Sequence, residues 1–103
     1  MTTENVIDIV KKKQTTRQVK EPGKFKVVVC NDDVTPVDFV IAMLIKVFRF
    51  KEMQAVKLTV QVHEQGQGIA GVFPFEIAEQ KAVDATNMAR LNHFPLIIKV
   101  EPE

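Results

Sequence analysis

Phe25-Lys26-Val27-Val28-Val29-Cys30-Asn31-Asp32-Asp33-Val34-Thr35-Pro36-Val37-Asp38 runs from an apolar segment through a polar junction into a second apolar segment. Its first six residues are short, apolar and β-branched, which predicts a strand. Thr35-Pro36-Val37-Asp38 then reads as a helix start. Thr35 is placed to cap, proline suits the first helical position, and Asp38 is an acid in the first turn. Phe39, Val40, Met43, Leu44, Val47 and Phe48 follow at helical spacing to about Arg49. Between strand and helix lie an amide and two carboxylates beside an apolar framework. An ammonium group carries three donors and no acceptor. A cluster of acceptors next to an apolar wall therefore suits a ligand with a cationic head and a greasy side, such as the N-terminal residue of another polypeptide.

Further along the chain, Leu58-Thr59-Val60-Gln61-Val62-His63 alternates apolar and polar, which favours a strand. Ala55, Leu58, Thr59 and Val62 also fit a helical face, and local periodicity leans toward the strand. Gly66-Gln67-Gly68 ends the segment in either case. Ile69 to Phe73 is a short strand. Pro74-Phe75-Glu76 opens another helix carrying Ile77, Ala78, Ala82, Ala85 and Ala89. Leu96-Ile97-Ile98-Lys99-Val100 after Pro95 is the last strand. Few strands with intervening helices predict an α+β sandwich, helices packed on a small, mostly antiparallel sheet.

With 103 residues the chain is one domain at most. Its net charge of +1 gives no electrostatic case for capturing nucleic acid. A single cysteine excludes an internal disulfide, and a reducing, cytoplasmic setting is the simplest inference. No apolar run approaches the roughly 20 residues that span a bilayer. Charge is uneven along the chain. Residues 1–24 hold six basic against three acidic side chains, and the remainder eight against ten. The stretch from Lys11 to Lys24 is nearly free of large apolar groups and cannot offset the entropy of ordering. Residues 1–23 are therefore expected to form a mobile arm, either a solubilising tail or an element that engages a partner, and residues 24–103 the folded core.

Taken in order, Asn31-Asp32-Asp33-x-Thr35-Pro36, Phe39-Val40, Val62-His63-x-Gln65-Gly66, Gly71-Val72-Phe73, Glu76-Ile77-Ala78-Glu79-x-Lys81 and His93-x-Pro95-Leu96 resemble the ClpS family over about residues 24–101. ClpS proteins are adaptors that hand N-end-rule substrates to the AAA+ unfoldase of the bacterial Clp protease. The resemblance implies a β-α-α-β-α-β fold, a three-stranded antiparallel sheet under three helices, like the C-terminal domain of the ribosomal stalk protein. It also implies a helix over 52–65, against the local strand reading. It assigns Asn31, Asp32 and His63 to the substrate α-amino group. Val37, Val40, Thr59, Val62 and Leu96 become the lining of an apolar pocket, with Thr35 and Pro36 shaping the turn. Glu76 and Lys81 match positions that face the N-domain of a ClpA-type unfoldase. The implied partners are that unfoldase and polypeptides beginning with Leu, Phe, Tyr or Trp, without cofactor, nucleic acid or membrane.

This sequence departs from the family pattern at four positions. Val34 replaces an aromatic, Val37 replaces the methionine that guards the pocket mouth, Thr59 replaces an apolar residue, and Glu64 replaces an aromatic. Shorter lining residues imply a wider pocket and an open ranking among N-terminal residues.

Each residue also has a plainer reading. Asn-Asp-Asp before Thr-Pro is good turn chemistry in its own right. Two aspartates with His63 make a poor metal set, since no tight ligand spacing links them. They make a poor acid–base pair too, because neighbouring strand side chains face opposite ways. By that alternation Asp33 points away from Asp32 and is the expected cap of the turn. Cys30 is expected to be buried and inert, and His93 to lie in a surface loop. A stalk-like interaction domain without amine recognition is the alternative function.

Overall fold

The computed structural model describes residues 23–103, so the expected arm, residues 1–22 of it, lies outside the described residues. The elements run β1 (Lys24–Cys30), α1 (Val37–Phe48), α2 (Glu52–Gln65), β2 (Gln67–Pro74), α3 (Phe75–Leu91) and β3 (Ile97–Pro102). The sheet has the order β2-β1-β3, with β1 antiparallel to both neighbours. The most apolar strand thus takes the centre. Val27 and Val29 alternate onto one face and join the core, while Val28, also buried, takes the other.

The helices bury one face each. Met43 and Leu44 of α1 are fully buried, as are Ala78, Ala85 and Ala89 of α3. A stripe of alanines lets α3 approach the sheet closely, and bulkier side chains from β1 and α1 fill the layer between them.

Local alternation misread residues 58–63, which are the second half of α2. Val60 separates the two periods. A strand that buries Leu58 and Val62 would bury Val60 on the same face. The helix buries Ala55, Leu58, Thr59 and Val62, and leaves Val60 48% exposed. Two glycines fix the junction of α2 with β2. Gly66 closes α2 with φ 91°, in the left-handed region that favours glycine. At Gly68 a Cβ would lie 2.8 Å from the Leu58 side chain and 3.0 Å from that of Val62, so β2 packs on α2 through a bare backbone.

The start of α1 also differs from expectation. The helix begins at Val37, Pro36 occupies the N-cap position, and no side chain caps it. Thr35 does not cap α1 because its hydroxyl is turned back to Asp32. Cys30 is only partly buried, because it is the last residue of β1 and the layer ends there. β3 begins one residue late, at Ile97, because Leu96 still belongs to a loop held by other bonds.

Candidate functional site

Strand pairing alone brings three parts of the chain together. Cys30, the end of β1, is paired with Gln67 on one side and Ile97 on the other. One residue beyond that row lie Asn31, Gly66 and Leu96. The N–H of Asn31 donates to the Gly66 carbonyl at 2.9 Å, fastening the end of β1 to the end of α2. His63 and Val62 stand in the last turn of α2, and Val37 and Val40 in the first turn of α1. Asn31, His63 and Leu96, far apart in sequence, therefore reach one end of the molecule.

The loop between β1 and α1 is organised by Asp32. One carboxylate oxygen accepts the N–H groups of Val34, at 2.8 Å, and Thr35, at 2.7 Å. The other accepts the Thr35 hydroxyl at 2.8 Å. This is an Asx turn, and it reverses the expected roles: Asp32 holds the turn, whereas Asp33 is exposed. Burial works to raise the Asp32 carboxyl. The N–H groups of Thr35 and Val34, the Thr35 hydroxyl and the Arg90 guanidinium outweigh it and hold the carboxyl below the ordinary 3.8. Asp32 is thus a fixed anion. A carboxylate has about four lone-pair sites, and three are taken, so the second oxygen keeps one acceptor site. Among the described residues, neither the Asn31 amide nor the His63 ring makes a side-chain hydrogen bond, and both are exposed.

The expected pocket residues divide into a floor and a rim. Val40, Val62 and Leu96 are buried in the core cluster, and Thr59 is buried beside them. The Thr59 hydroxyl donates to the Ala55 carbonyl at 2.7 Å, one turn back along α2. Its donor is therefore satisfied inside the helix. Val37 is 51% exposed and stands at the surface with Pro36.

Arg90 and Phe94 belong to the site region and were missed. Arg90 donates from Nη1 to the carbonyls of Phe94 and Leu96, both at 2.8 Å. It pins the loop carrying Leu96 while its charge faces Asp32. The Phe94 ring meets Phe39 of α1 edge-on, with centroids 5.0 Å apart. His93, exposed in that loop as expected, takes a left-handed φ of 64°, uncommon away from glycine. No sequence signal links Arg90 to Asp32 across 58 positions; only the His93-x-Pro95-Leu96 match pointed to the loop.

Glu76 and Lys81 lie elsewhere, toward the opposite end. Glu76 is exposed in the first turn of α3. The Lys81 ammonium donates to the Val47 carbonyl at 3.1 Å, at the end of α1, and lies 5.8 Å from the Phe48 ring centre and 5.5 Å from that of Phe73. Five residues apart on a helix, these two side chains do not share one face. A groove of about 470 Å³ runs beside Lys81, lined also by Lys46, Arg49, Met88 and Leu91. Among the described residues no three His, Cys, Asp or Glu side chains gather as a metal would need, and no helix is long and apolar enough to cross a membrane.

A small α+β module with a fixed carboxylate, two outward polar groups and an apolar floor at one end is built as a binding protein. The sequence pattern of the family described as ATP-dependent Clp protease adaptor protein ClpS matches residues 20–99. The ClpS adapter protein of Shewanella piezotolerans is 39% identical over 99 residues, covering 96% of this chain and 95% of that protein. That of Shewanella pealeana is 38% identical over the same shares. The solved structure of Agrobacterium tumefaciens ClpS2 bound to L-phenylalaninamide superposes with a TM-score of 0.79 at 37% identity, covering 81% of this chain and all of the other. The chain belongs to the ClpS family, the adaptor proteins of the Clp protease. The β-α-α-β-α-β fold expected from the resemblance is the fold observed.

Proposed function

We propose that this adaptor reads the first residue of N-end-rule substrates, taking N-terminal Leu, Phe, Tyr or Trp, and delivers the substrate to a ClpA-type unfoldase in the cytoplasm. The observation that carries the reading is the Asp32 loop: a carboxylate fixed in the charged form, with one acceptor site left, beside Asn31 and His63 at the lip of an apolar floor. L-Phenylalaninamide, the ligand of the Agrobacterium relative, unites an aliphatic amine with an aromatic side chain, the pair of features this end of the molecule complements.

The energetics require both halves. Full burial of a Leu or Phe side chain contributes roughly 1.5–3 kcal/mol. Micromolar affinity corresponds to about 8 kcal/mol, net of association entropy. Hydrogen bonds to a charged group contribute roughly 1.5–3 kcal/mol each, so Asn31, Asp32 and His63 around one ammonium supply the remainder. They also supply specificity. An internal Phe brings no ammonium and leaves those acceptors unpaired.

The unfoldase-facing positions Glu76 and Lys81 lie away from this end, so both partners are held together without competing. The arm, residues 1–23, takes part in the hand-over. Fluorescence anisotropy with a labelled peptide beginning with Phe, free and α-acetylated, tests the reading. Binding of the free amine alone is expected, and equal binding of both overturns it.

A further inference from the structure

Five of the large apolar side chains that the fold leaves exposed share one seam. On α2 the flank toward β2 is occupied: Gln54, Lys57, Leu58 and Gln61 face Phe50 and Ile69 across a small cleft. At roughly 100° per residue, the opposite flank carries Thr59, His63, Val56 and Val60, with Met53 beyond them. That flank faces α1. On α1 the flank toward α3 is likewise occupied, by Phe39 against Phe94 and by Val47, whose carbonyl receives Lys81. The flank toward α2 carries Val37, Ile41 and Ile45. Only Arg49–Lys51 separate the two helices, which makes them an antiparallel hairpin. Counting outward from Phe50, Val37 comes opposite His63, Ile41 opposite Thr59 and Val60, and Ile45 opposite Val56. Val37 is 51%, Ile45 37%, Val56 40%, Val60 48% and Met53 84% exposed, and Ile41 is half-buried. An apolar strip this continuous on a small domain marks a contact surface.

The strip begins where the N-terminal residue is proposed to sit, because Val37, Thr59 and His63 belong to both. Its spacing matches an extended peptide. Side chains of residues 1 and 3 fall on the same side of a strand, about 6.6 Å apart. One turn of α1, from Val37 to Ile41, rises about 6 Å. With residue 1 beside Val37, residue 3 comes to lie over Ile41 and Val60. Exposed Asp38 and Glu64 flank the seam, so an acidic residue there meets like charge.

We propose that the α1–α2 seam is a second subsite, selecting an apolar side chain at the third position of the bound substrate. This rests on the N-terminal reading above. The test uses peptides Phe-Ser-X-Ser carrying a C-terminal dye, with X as Leu, Gly or Asp, each with a free and an acetylated α-amine. Affinity for Leu is expected to exceed that for Gly about three- to tenfold, the range of a partly buried apolar side chain, with Asp weakest. In Val60→Ser, a change at an exposed position, the Leu-to-Gly ratio is expected to fall toward one while the Gly peptide binds as before. Wild-type affinity that depends on the free amine but not on X overturns the seam and leaves the N-terminal reading standing. A Leu preference unchanged by Val60→Ser, or abolished instead by Val34→Ser, places residue 3 on another surface and overturns it equally. Binding indifferent to acetylation removes both.

Discussion

The two ends of this small sheet are each organised by one charged side chain, and they use it in opposite ways. At the end where β1 leads into α1, Asp32 collects three donors from its own loop and keeps one acceptor site over. At the other end, Lys81 gives its charge to a helix carbonyl and two aromatic faces. The first arrangement fixes the carboxylate that the proposed function offers to a ligand. The second fastens α3 to α1 and β2 around a half-buried cation. Both side chains are half-buried, so hydrogen-bond geometry and not exposure separates a charge that holds the fold from one that the fold holds.

Asp32→Ala presses the comparison hardest. It removes two N–H partners and a hydroxyl partner from the loop, and one acceptor from the ligand. Hydrogen bonds to a charged group contribute roughly 1.5–3 kcal/mol, so peptide affinity is expected to fall at least about tenfold. Loss of the turn costs about 1–2 kcal/mol, by analogy with helix caps. Asp32→Asn sharpens the point. It retains an oxygen for the Val34 and Thr35 N–H groups, so calorimetric stability should recover most of the loss while affinity stays low.

Arg90→Met comes next. It releases the Phe94 and Leu96 carbonyls and loosens one wall of the apolar floor. Affinity for a Phe peptide is expected to fall about three- to tenfold, in line with about 1 kcal/mol for a modest hydrogen-bond loss. Arg90→Lys should restore part of it, and an unchanged affinity would detach Arg90 from the pocket.

Lys81→Met should act on the fold and not on peptide binding. The ammonium over two rings contributes about 0.5–2 kcal/mol, so a drop of about 1 kcal/mol in denaturant unfolding is expected with peptide affinity unchanged. Any loss of affinity would couple the two ends.

The smallest effect is in acid. The folded-state pKa of Asp32 lies below its ordinary 3.8. Its contribution to stability is therefore complete above that value, and is lost as pH falls below it and through the folded-state pKa. The stability gap between wild type and Asp32→Asn should narrow between pH 4 and 2, measured by urea unfolding. A constant gap would show that the charge does not matter to the loop.

These residues also mark what the amino-acid order made legible. β1 and α1 were readable because Val27-Val28-Val29 and the Val40, Met43, Leu44 spacing each fit one period. α2 was ambiguous because Leu58 and Val62, four residues apart, fit both periods and Val60 between them fits only the strand, and the family resemblance resolved it where local pattern did not. The turn at Asn-Asp-Asp was readable as turn chemistry. Which aspartate holds it was not, since that depends on where Thr35 points once Pro36 has started the helix. Arg90 was invisible because its partners meet it only after the sheet has closed. Lys81 was assigned to a partner by resemblance, and its packing on Phe48 and Phe73 needed three elements to come together.

The claim that Asn31 and Asp32 read an α-amine is tested most directly by a thermodynamic cycle: anisotropy Kd values for a Phe peptide, free and α-acetylated, against wild type and Asn31→Ala. The Asn31 side chain is exposed and outside the Asp32 bonds, so this variant keeps the loop. Acetylation is expected to weaken binding to wild type strongly and to weaken binding to the variant at least about tenfold less, a coupling of about 1.4 kcal/mol. Equal acetylation penalties in the two proteins would mean that Asn31 does not face the amine, and would contradict the account.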